Sequence, residues 1–142
     1  MAEAATIHVD IVSAEGELFS GAAAMVFAPA SQGDLGIMPR HAPLLTLLKA
    51  GEVRVRTPDG TEHHFFIGGG ALEVQPNRVT VLADTALRAK DIDEAAALAA
   101  KQRAEEALQQ KGGHMTEAEA LAELARAAAM MKMLKRLRDQ RG

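Results

Sequence analysis

The amino-acid composition of this chain changes abruptly near Ala86, and that change limits the possible folds more than any other feature. All eight valines and all four phenylalanines precede Ala86, whereas the segment from Leu87 onward contains fifteen alanines and neither Val nor Phe. β-Branched and aromatic residues favour strands, and alanine favours helices. The sequence therefore predicts an α+β chain, with a β domain at residues 1–86 and an α-helical domain at residues 87–142.

Short alternating segments separated by turns fill the first half of the chain. In TIHVDIV, the side chains of Ile7, Val9 and Ile11 fall on one face, and EVRVR alternates in the same way. The turns TPDGT and QPNR each separate two such segments, which is typical of hairpins. We therefore expect an antiparallel β-sandwich. The triple glycine Gly68–Gly70 predicts a bulge or a tight strand entry, because no helix and no Lys follow it as in a phosphate loop.

The second half predicts an antiparallel hairpin of two helices. Asp91 with Glu94, and Thr116 with Glu119, have the spacing of helix-capping boxes, and Gly112–Gly113 should end the first helix. The predicted helices are residues 92–110 and 117–139. The first helix has few large apolar side chains besides its alanines. At about 25 cal/mol per Å² such a small interface stabilises the hairpin only marginally, so the hairpin is expected to rearrange readily.

Composition and motif content argue against several functional classes. A net charge of −3 and an aromatic content of 3% disfavour a nucleic-acid partner, and the absence of cysteine excludes disulfide and zinc–thiolate sites. His63 and His64 are adjacent and should point to opposite faces of a strand, so no metal site is expected. No nucleophile–base constellation is visible, so the chain is expected not to be an enzyme by itself. Neither a signal peptide nor a membrane-spanning run is visible, so we expect contact with a membrane only through protein partners.

The segment DLGIMPRHAPLLTLL, residues 34–48, combines turn residues with large apolar ones. Pro39 and Pro43 indicate a stiff loop, yet the same segment carries Leu35, Ile37 and Met38. Turns are normally polar. The sequence therefore predicts a loop that exposes apolar side chains.

Four segments together resemble one known family. VDIVSAEGELFSG, GDLGIMPRHAPLLT, GGGALEVQPNRVTVLADTA and DIDEAAALAAKQRAEEAL occur in the order found in epsilon subunits of bacterial F-type ATP synthases. The most specific element has the form acid-LGI-x-P-x-HAPLLT, and the resemblance covers essentially the whole chain. It implies an N-terminal β-sandwich and a C-terminal helical hairpin.

The resemblance also implies a function. It suggests a non-catalytic rotor subunit of the central stalk, which couples proton transport through the membrane ring to ATP synthesis and inhibits ATP hydrolysis through its C-terminal helices. The implied partners are the gamma subunit, the rotor c-ring and the beta subunits. The implied location is peripheral, on the cytoplasmic face of the bacterial inner membrane.

In this family the loop at the foot of the sandwich rests on the rotor ring beside gamma. The residues that the resemblance assigns to the ring interface are Asp34, Leu35, Ile37, Met38 and His41. Arg40 occupies a position where relatives often have Gly or another small residue. A loop held in shape by prolines loses less entropy on docking.

The C-terminal segment 130–142 carries five basic residues against one Asp, a net charge of +4. Such a segment can be a solvated helix face, or it can meet an acidic protein surface. The resemblance implies the second role, with an acidic segment of a beta subunit as the partner. The residues assigned to that contact are Lys132, Lys135, Arg136 and Arg138.

Some family members bind ATP through an I/L-D-x-x-R-A motif and further arginines. Here Ile92, Asp93, Arg103 and Arg126 match, whereas Ala96 and Met130 stand where arginines are expected. Each missing guanidinium removes a charge-assisted partner worth about 1.5–3 kcal/mol. We therefore expect weak ATP binding or none, and no required cofactor.

Two other functions stay open from the sequence: an ATP-sensing regulatory module and a free-standing β-sandwich adaptor.

Overall fold

The computed structural model describes residues 5–110 and 116–141, and the chain divides into two compact units between Ala89 and Lys90. The N-terminal unit is a sheet of eight strands in the order β2-β1-β7-β6-β5-β3-β4, with β8 paired to β6. The strands are β1 (Ile7–Ser13), β2 (Gly16–Ala23), β3 (Met25–Ala30), β4 (Gly33–Ile37), β5 (Leu44–Arg56), β6 (Glu62–Gln75), β7 (Arg78–Ala83) and β8 (Ala86–Arg88). The predicted domain boundary after residue 86 falls inside β8.

Alternation along the strands builds the core of this unit. Ile7, Val9 and Ile11 of β1 are fully buried, as are Val53 and Val55 of β5, whereas the residues between them face outward. Buried side chains from β1 to β7 form one apolar cluster. Because all these strands turn one face to the same cluster, the sheet folds over on itself as a sandwich.

The connectivity follows the predicted turns with one exception. The TPDGT turn joins β5 to β6, and the QPNR turn joins β6 to β7, both as antiparallel pairs. The pairing of β1 with β7 is parallel. No hairpin turn connects these two strands, so the turn pattern gave no sign of it. Their pairing joins the start of the domain to a strand near its end.

The triple glycine marks the point where β6 changes neighbours. The Gly68 N–H donates to Thr85 O, and the Asp84 N–H donates to Gly69 O. Gly70 has φ +145°, and a Cβ there would lie 2.1 Å from the backbone oxygen of Leu82. The predicted irregularity in the strand is therefore present, and it allows β6 and β7 to approach closely.

The C-terminal unit is a helical hairpin. A 3₁₀ turn at Ala89–Asp91 precedes α1 (Glu94–Gln109) and α2 (Glu117–Arg141). The helices are antiparallel, since Arg103 contacts Glu123 while Glu94 contacts Arg138. The buried residues between them are Ala97, Ala104, Ala120, Ala127 and Met133. The spacing of seven residues within each alanine pair keeps the small side chains on one face, so the helices pack with little apolar area.

The predicted start of α2 is confirmed, whereas α1 begins at Glu94 and not at the predicted residue 92, and its cap was assigned to the wrong residue. The N-cap of α1 is Asp93, whose carboxylate accepts from Ala96 N–H at 3.1 Å, so the capping box predicted for Asp91 and Glu94 is wrong. The box of Thr116 and Glu119 is confirmed, because each backbone N–H donates to the other residue's side chain, at 3.3 and 3.1 Å. The predicted helix end at Gly112–Gly113 lies outside the described residues.

Candidate functional site

The segment predicted as an exposed loop begins as an ordered strand. β4 pairs with β3, with Leu35 opposite Ala28 and Ile37 opposite Val26. Because side chains alternate along a strand, Leu35 and Ile37 both point inward. Ile37 is fully buried and Leu35 packs against the core, so the prediction that Ile37 is exposed is wrong. The alternation in DLGI was the sequence signal for this arrangement.

The turn that follows β4 is the part of the segment that is accessible. Met38 is 60% exposed, Asp34 is exposed and His41 is half-buried. Backbone contacts fix the turn: Arg40 N–H donates to Pro76 O at 2.8 Å, and His41 N–H donates to Met38 O at 3.2 Å. The imidazole of His41 is held by Ala42 O, 2.7 Å from Nδ1. Met38 and His41 therefore sit on a fixed turn, whereas Asp34 is exposed within β4, the strand before it.

Arg40 adopts an unusual backbone conformation in this turn. Its φ is +68°, in the left-handed region that favours glycine. This angle gives a physical reason for the small residue that is often expected at this position from the family resemblance. Arg40 keeps the conformation because its own N–H and that of His41 are both hydrogen-bonded to backbone carbonyls.

A row of exposed apolar side chains, which was not predicted from the sequence, crosses the outer face of the sandwich. Leu45 and Leu47 of β5 are 74% and 67% exposed, and Leu82 of β7 is 54% exposed. The strand register places Ala71 of β6 between Leu47 and Leu82, and Val12 of β1 beside Leu82. We call these five residues the apolar row.

The sequence did carry a signal for the apolar row. In LLTLL, the side chains of Leu44 and Leu48 point to the inner face of the strand. Side chains alternate between the two faces, so those of Leu45 and Leu47 must lie on the outer face. A strand with leucine on both faces is typical of a sheet covered on both sides. The row itself depends on the register of four strands, which the sequence does not specify locally.

A polar cluster centred on Asp10 lies on β1, β2 and β7, and two of these strands, β1 and β7, also carry members of the apolar row. The Asp10 carboxylate accepts from Ser20 Oγ at 2.7 Å, from His8 Nε2 at 3.0 Å and from Arg78 Nη1 at 2.6 Å. Burial opposes the charged form, but the hydrogen bonds from Ser20 and His8 and the charges of His8 and Arg78 outweigh it. The pKa of the Asp10 carboxyl is therefore lowered. The cluster joins β2, β1 and β7 through side chains.

The four residues predicted to contact ATP lie in two separate parts of the C-terminal unit. Asp93 caps α1, and Arg103 Nη2 lies 3.3 Å from Glu123 of α2. Arg126 is exposed one turn beyond Glu123, and Ile92 is half-buried. Ten residues of helix separate Asp93 from Arg103, about 15 Å at 1.5 Å per residue. The hairpin thus brings Arg103 and Arg126 to one region and leaves Ile92 and Asp93 at the other end of α1.

The basic segment is helical throughout the described part. Lys132, Lys135 and Arg136 have i, i+3, i+4 spacing, which places them on one side of α2. Lys132 and Lys135 are exposed. Arg138 is also exposed, and its Nη2 lies 2.7 Å from Glu94 Oε1. Arg138, which was predicted to meet a partner, is therefore paired within the hairpin.

The described residues contain neither a metal-binding cluster nor a membrane-spanning helix. No group of three or more His, Cys, Asp or Glu residues in 5–110 and 116–141 is arranged to hold a metal ion. Neither of the two described helices is long and apolar enough to cross a membrane.

Comparison with known families gave a match for each unit. Residues 6–89 match the family model described as ATP synthase, Delta/Epsilon chain, beta-sandwich domain. Residues 90–135 match the one described as ATP synthase, Delta/Epsilon chain, long alpha-helix domain. Together the two matches cover most of both compact units.

Similar proteins carry the same description. An ATP synthase epsilon chain of Nitrosococcus oceani is 63% identical over 139 residues, which cover 98% of this chain and 99% of the relative. An epsilon chain of Halorhodospira halophila is 58% identical over 137 residues, covering 95% and 96%.

Solved structures show the same fold at low identity. A chain of the Euglena gracilis mitochondrial ATP synthase, from a structure of OSCP, F1 and c-ring, has a TM-score of 0.81 at 19% identity, covering 92% of this chain and 82% of that one. A chain of the Tetrahymena thermophila central stalk and c-ring has a TM-score of 0.61 at 15% identity, covering 90% and 96%. The predicted fold, a β-sandwich followed by two helices, is confirmed.

Proposed function

This chain belongs to the epsilon chains of the ATP synthase delta/epsilon family, and we propose that it couples proton transport to ATP synthesis by docking its sandwich on the rotor. Membership confirms the resemblance found in the sequence and makes the chain a non-catalytic central-stalk subunit of ATP synthase. The finer assignments proposed are the gamma subunit and c-ring as partners of the sandwich, and a beta subunit as partner of the hairpin. The proposed location is the cytoplasmic face of the bacterial inner membrane.

The apolar row is the observation that carries the proposal. Leu45 and Leu47 of β5 and Leu82 of β7 project from one outer face of the sheet, with Ala71 of β6 between them. Single exposed leucines are common on protein surfaces, but a contiguous apolar row indicates an interaction site. Covering a leucine that is two-thirds exposed recovers about 1–2 kcal/mol. The gamma subunit is the proposed cover, with the Asp10 cluster as part of a polar rim.

The fixed turn after β4 supports the proposed ring contact. Met38 is accessible there and His41 is partly so, and Asp34 is exposed in the preceding strand β4. The hydrogen bonds of Arg40 and His41 hold the turn before any partner arrives, which reduces the entropy lost on docking. Ile37 contributes by anchoring the turn to the core, and not by touching the ring.

The hairpin supports the proposed inhibition of ATP hydrolysis. Its interface is formed mainly by alanines, so α2 can separate from α1 at low cost. Lys132 and Lys135 then face an acidic segment of a beta subunit, and the charge pairing holds the rotor in one orientation. Proposed ATP binding is weak or absent, because Ala96 and Met130 lack guanidinium groups and Arg103 already pairs with Glu123.

The docking experiment compares two variants that change leucine to serine. Leu47→Ser with Leu82→Ser removes two members of the apolar row, and Leu98→Ser removes a leucine of α1 that is 43% exposed. Affinity is measured for an ATP synthase head complex stripped of this subunit. A loss of about 3 kcal/mol from two leucines predicts binding weakened about 100-fold for the double variant. Leu98→Ser should bind as the unmodified chain does.

Because all three leucines are exposed, both variants should unfold at the same temperature as the unmodified chain. Equal affinity of the double variant and the unmodified chain, with folding intact, would remove the apolar row from the docking surface.

A further inference from the structure

One ion pair closes the end of the hairpin that lies farthest from its turn. Glu94 is the first residue of α1 and Arg138 lies in the last turn of α2, with 2.7 Å between Oε1 and Nη2. A second ion pair between the helices, Arg103 with Glu123 at 3.3 Å, lies nearer the connection. If the two helices separate from the end opposite the turn, the Glu94–Arg138 pair must therefore break first.

The position of the pair suits its charges. Glu94 lies at the N-terminus of α1, where the helix dipole favours an anion. Arg138 lies near the C-terminus of α2, where it favours a cation. The antiparallel arrangement brings these two helix ends together, so the ion pair and both helix dipoles stabilise the closed hairpin.

The packing beneath the pair is weak enough for one exposed ion pair to matter. Ala97 and Ala104 are the buried residues of α1, and Met133 is the one large side chain among the buried residues described for α2. Alanines bury little area, and the free-energy difference between a closed and a separated hairpin is correspondingly small. A single ion pair at this end of the hairpin therefore has a measurable effect on the populations of the closed and separated forms.

We propose that Glu94 is a regulatory residue that keeps the hairpin closed by occupying Arg138, in competition with a carboxylate-bearing protein partner. This inference rests on the proposed inhibition by the hairpin. When a partner's carboxylate replaces Glu94 at the guanidinium, the last turn of α2 is released from α1. Glu94 thereby opposes the inhibitory state, whereas the cations of α2 favour it.

Lys132 and Lys135 provide the contrast that separates the two effects. Among the described residues neither makes an ion pair, so both are available to a partner whether the hairpin is closed or open. Replacing Lys132 should weaken the partner contact without loosening the hairpin. Replacing Glu94 should loosen the hairpin without weakening the partner contact. The two substitutions should therefore shift hydrolysis in opposite directions.

The first experiment measures the hairpin in the isolated full-length chain. The chain contains no cysteine, so Ala95→Cys with Gln140→Cys gives two exposed labelling positions near the free ends of α1 and α2. Distances between the two labels report the open fraction. An exposed pair contributes about a two- to fivefold change in population, so Glu94→Gln should raise the open fraction by that factor. Glu105→Gln, an exposed acid of α1 without an ion pair in the described residues, should leave it unchanged.

The second experiment measures ATP hydrolysis by the assembled head complex. Glu94→Gln should lower hydrolysis about two- to fivefold, and Lys132→Gln should raise it. Unchanged label distances in Glu94→Gln would overturn the proposal that Glu94 keeps the hairpin closed. Wider label distances without any effect of either substitution on hydrolysis would instead overturn the inhibitory function on which the inference rests.

Discussion

Replacing Arg40 by glycine should stabilise the sandwich, because it removes the one strained non-glycine backbone position in the described residues. Arg40 has φ +68°, and a non-glycine residue in the left-handed region costs about 1–2 kcal/mol. Glycine also increases the conformational entropy of the unfolded chain, which offsets about 0.5–1 kcal/mol of the stabilisation. The net gain is about 0.5–1 kcal/mol, or roughly 2–6 °C in Tm for a domain of this size.

Thermal unfolding followed by far-UV circular dichroism or calorimetry measures this change, since the chain has no Trp or Tyr for intrinsic fluorescence. Arg40→Ala is the matched control. It removes the same side chain but keeps the positive φ, so its Tm should not rise. A lower Tm for the glycine variant, or an equal rise for the alanine variant, would refute the reasoning from backbone strain.

Three further predictions concern the cluster, the sheet and the hairpin. Because the pKa of Asp10 is lowered in the folded state, its contribution is present above the unfolded pKa of about 3.9 and is lost as pH falls through the folded value. Asp10→Asn should therefore destabilise the chain by about 1–2 kcal/mol at pH 7 and flatten the loss of stability in acid, as urea unfolding across pH will show. Gly70→Ala should cost more than about 3 kcal/mol, because its Cβ would meet Leu82 O at 2.1 Å, whereas Gly16→Ala, in open space, should cost less in the same assay. By calorimetry the isolated chain should bind MgATP no tighter than about millimolar, and Ala96→Arg should strengthen binding; micromolar affinity of the unmodified chain would contradict this.

Local patterns in the sequence predicted most of the fold. The alternation in TIHVDIV and EVRVR gave the correct inward residues, and the TPDGT and QPNR turns gave the correct hairpins. The loss of Val and Phe after Ala86 separated strands from helices. These features depend on neighbouring residues, so a single sequence is enough to read them.

The features that were missed depend on competition between local signals or on distant residues. In DLGIMP, turn residues outweighed the alternation that buries Ile37. At the start of α1, the spacing of Asp91 and Glu94 favoured Asp91 as the cap, but Asp91 belongs to the 3₁₀ turn and Asp93 caps the helix. The apolar row of Leu47 and Leu82 exists only through the register of separate strands, which tertiary pairing determines.

ATP hydrolysis by the assembled head complex, across a series of salt concentrations, tests most directly the claim that the hairpin restrains the rotor through its charges. One complex carries the full-length chain, and the other carries a chain that ends at residue 114 and keeps the complete sandwich. The account predicts faster hydrolysis with the shorter chain at low salt, a difference that shrinks as salt screens the basic segment, and retention of both chains in the complex. Identical rates for the two complexes at every salt concentration would contradict it.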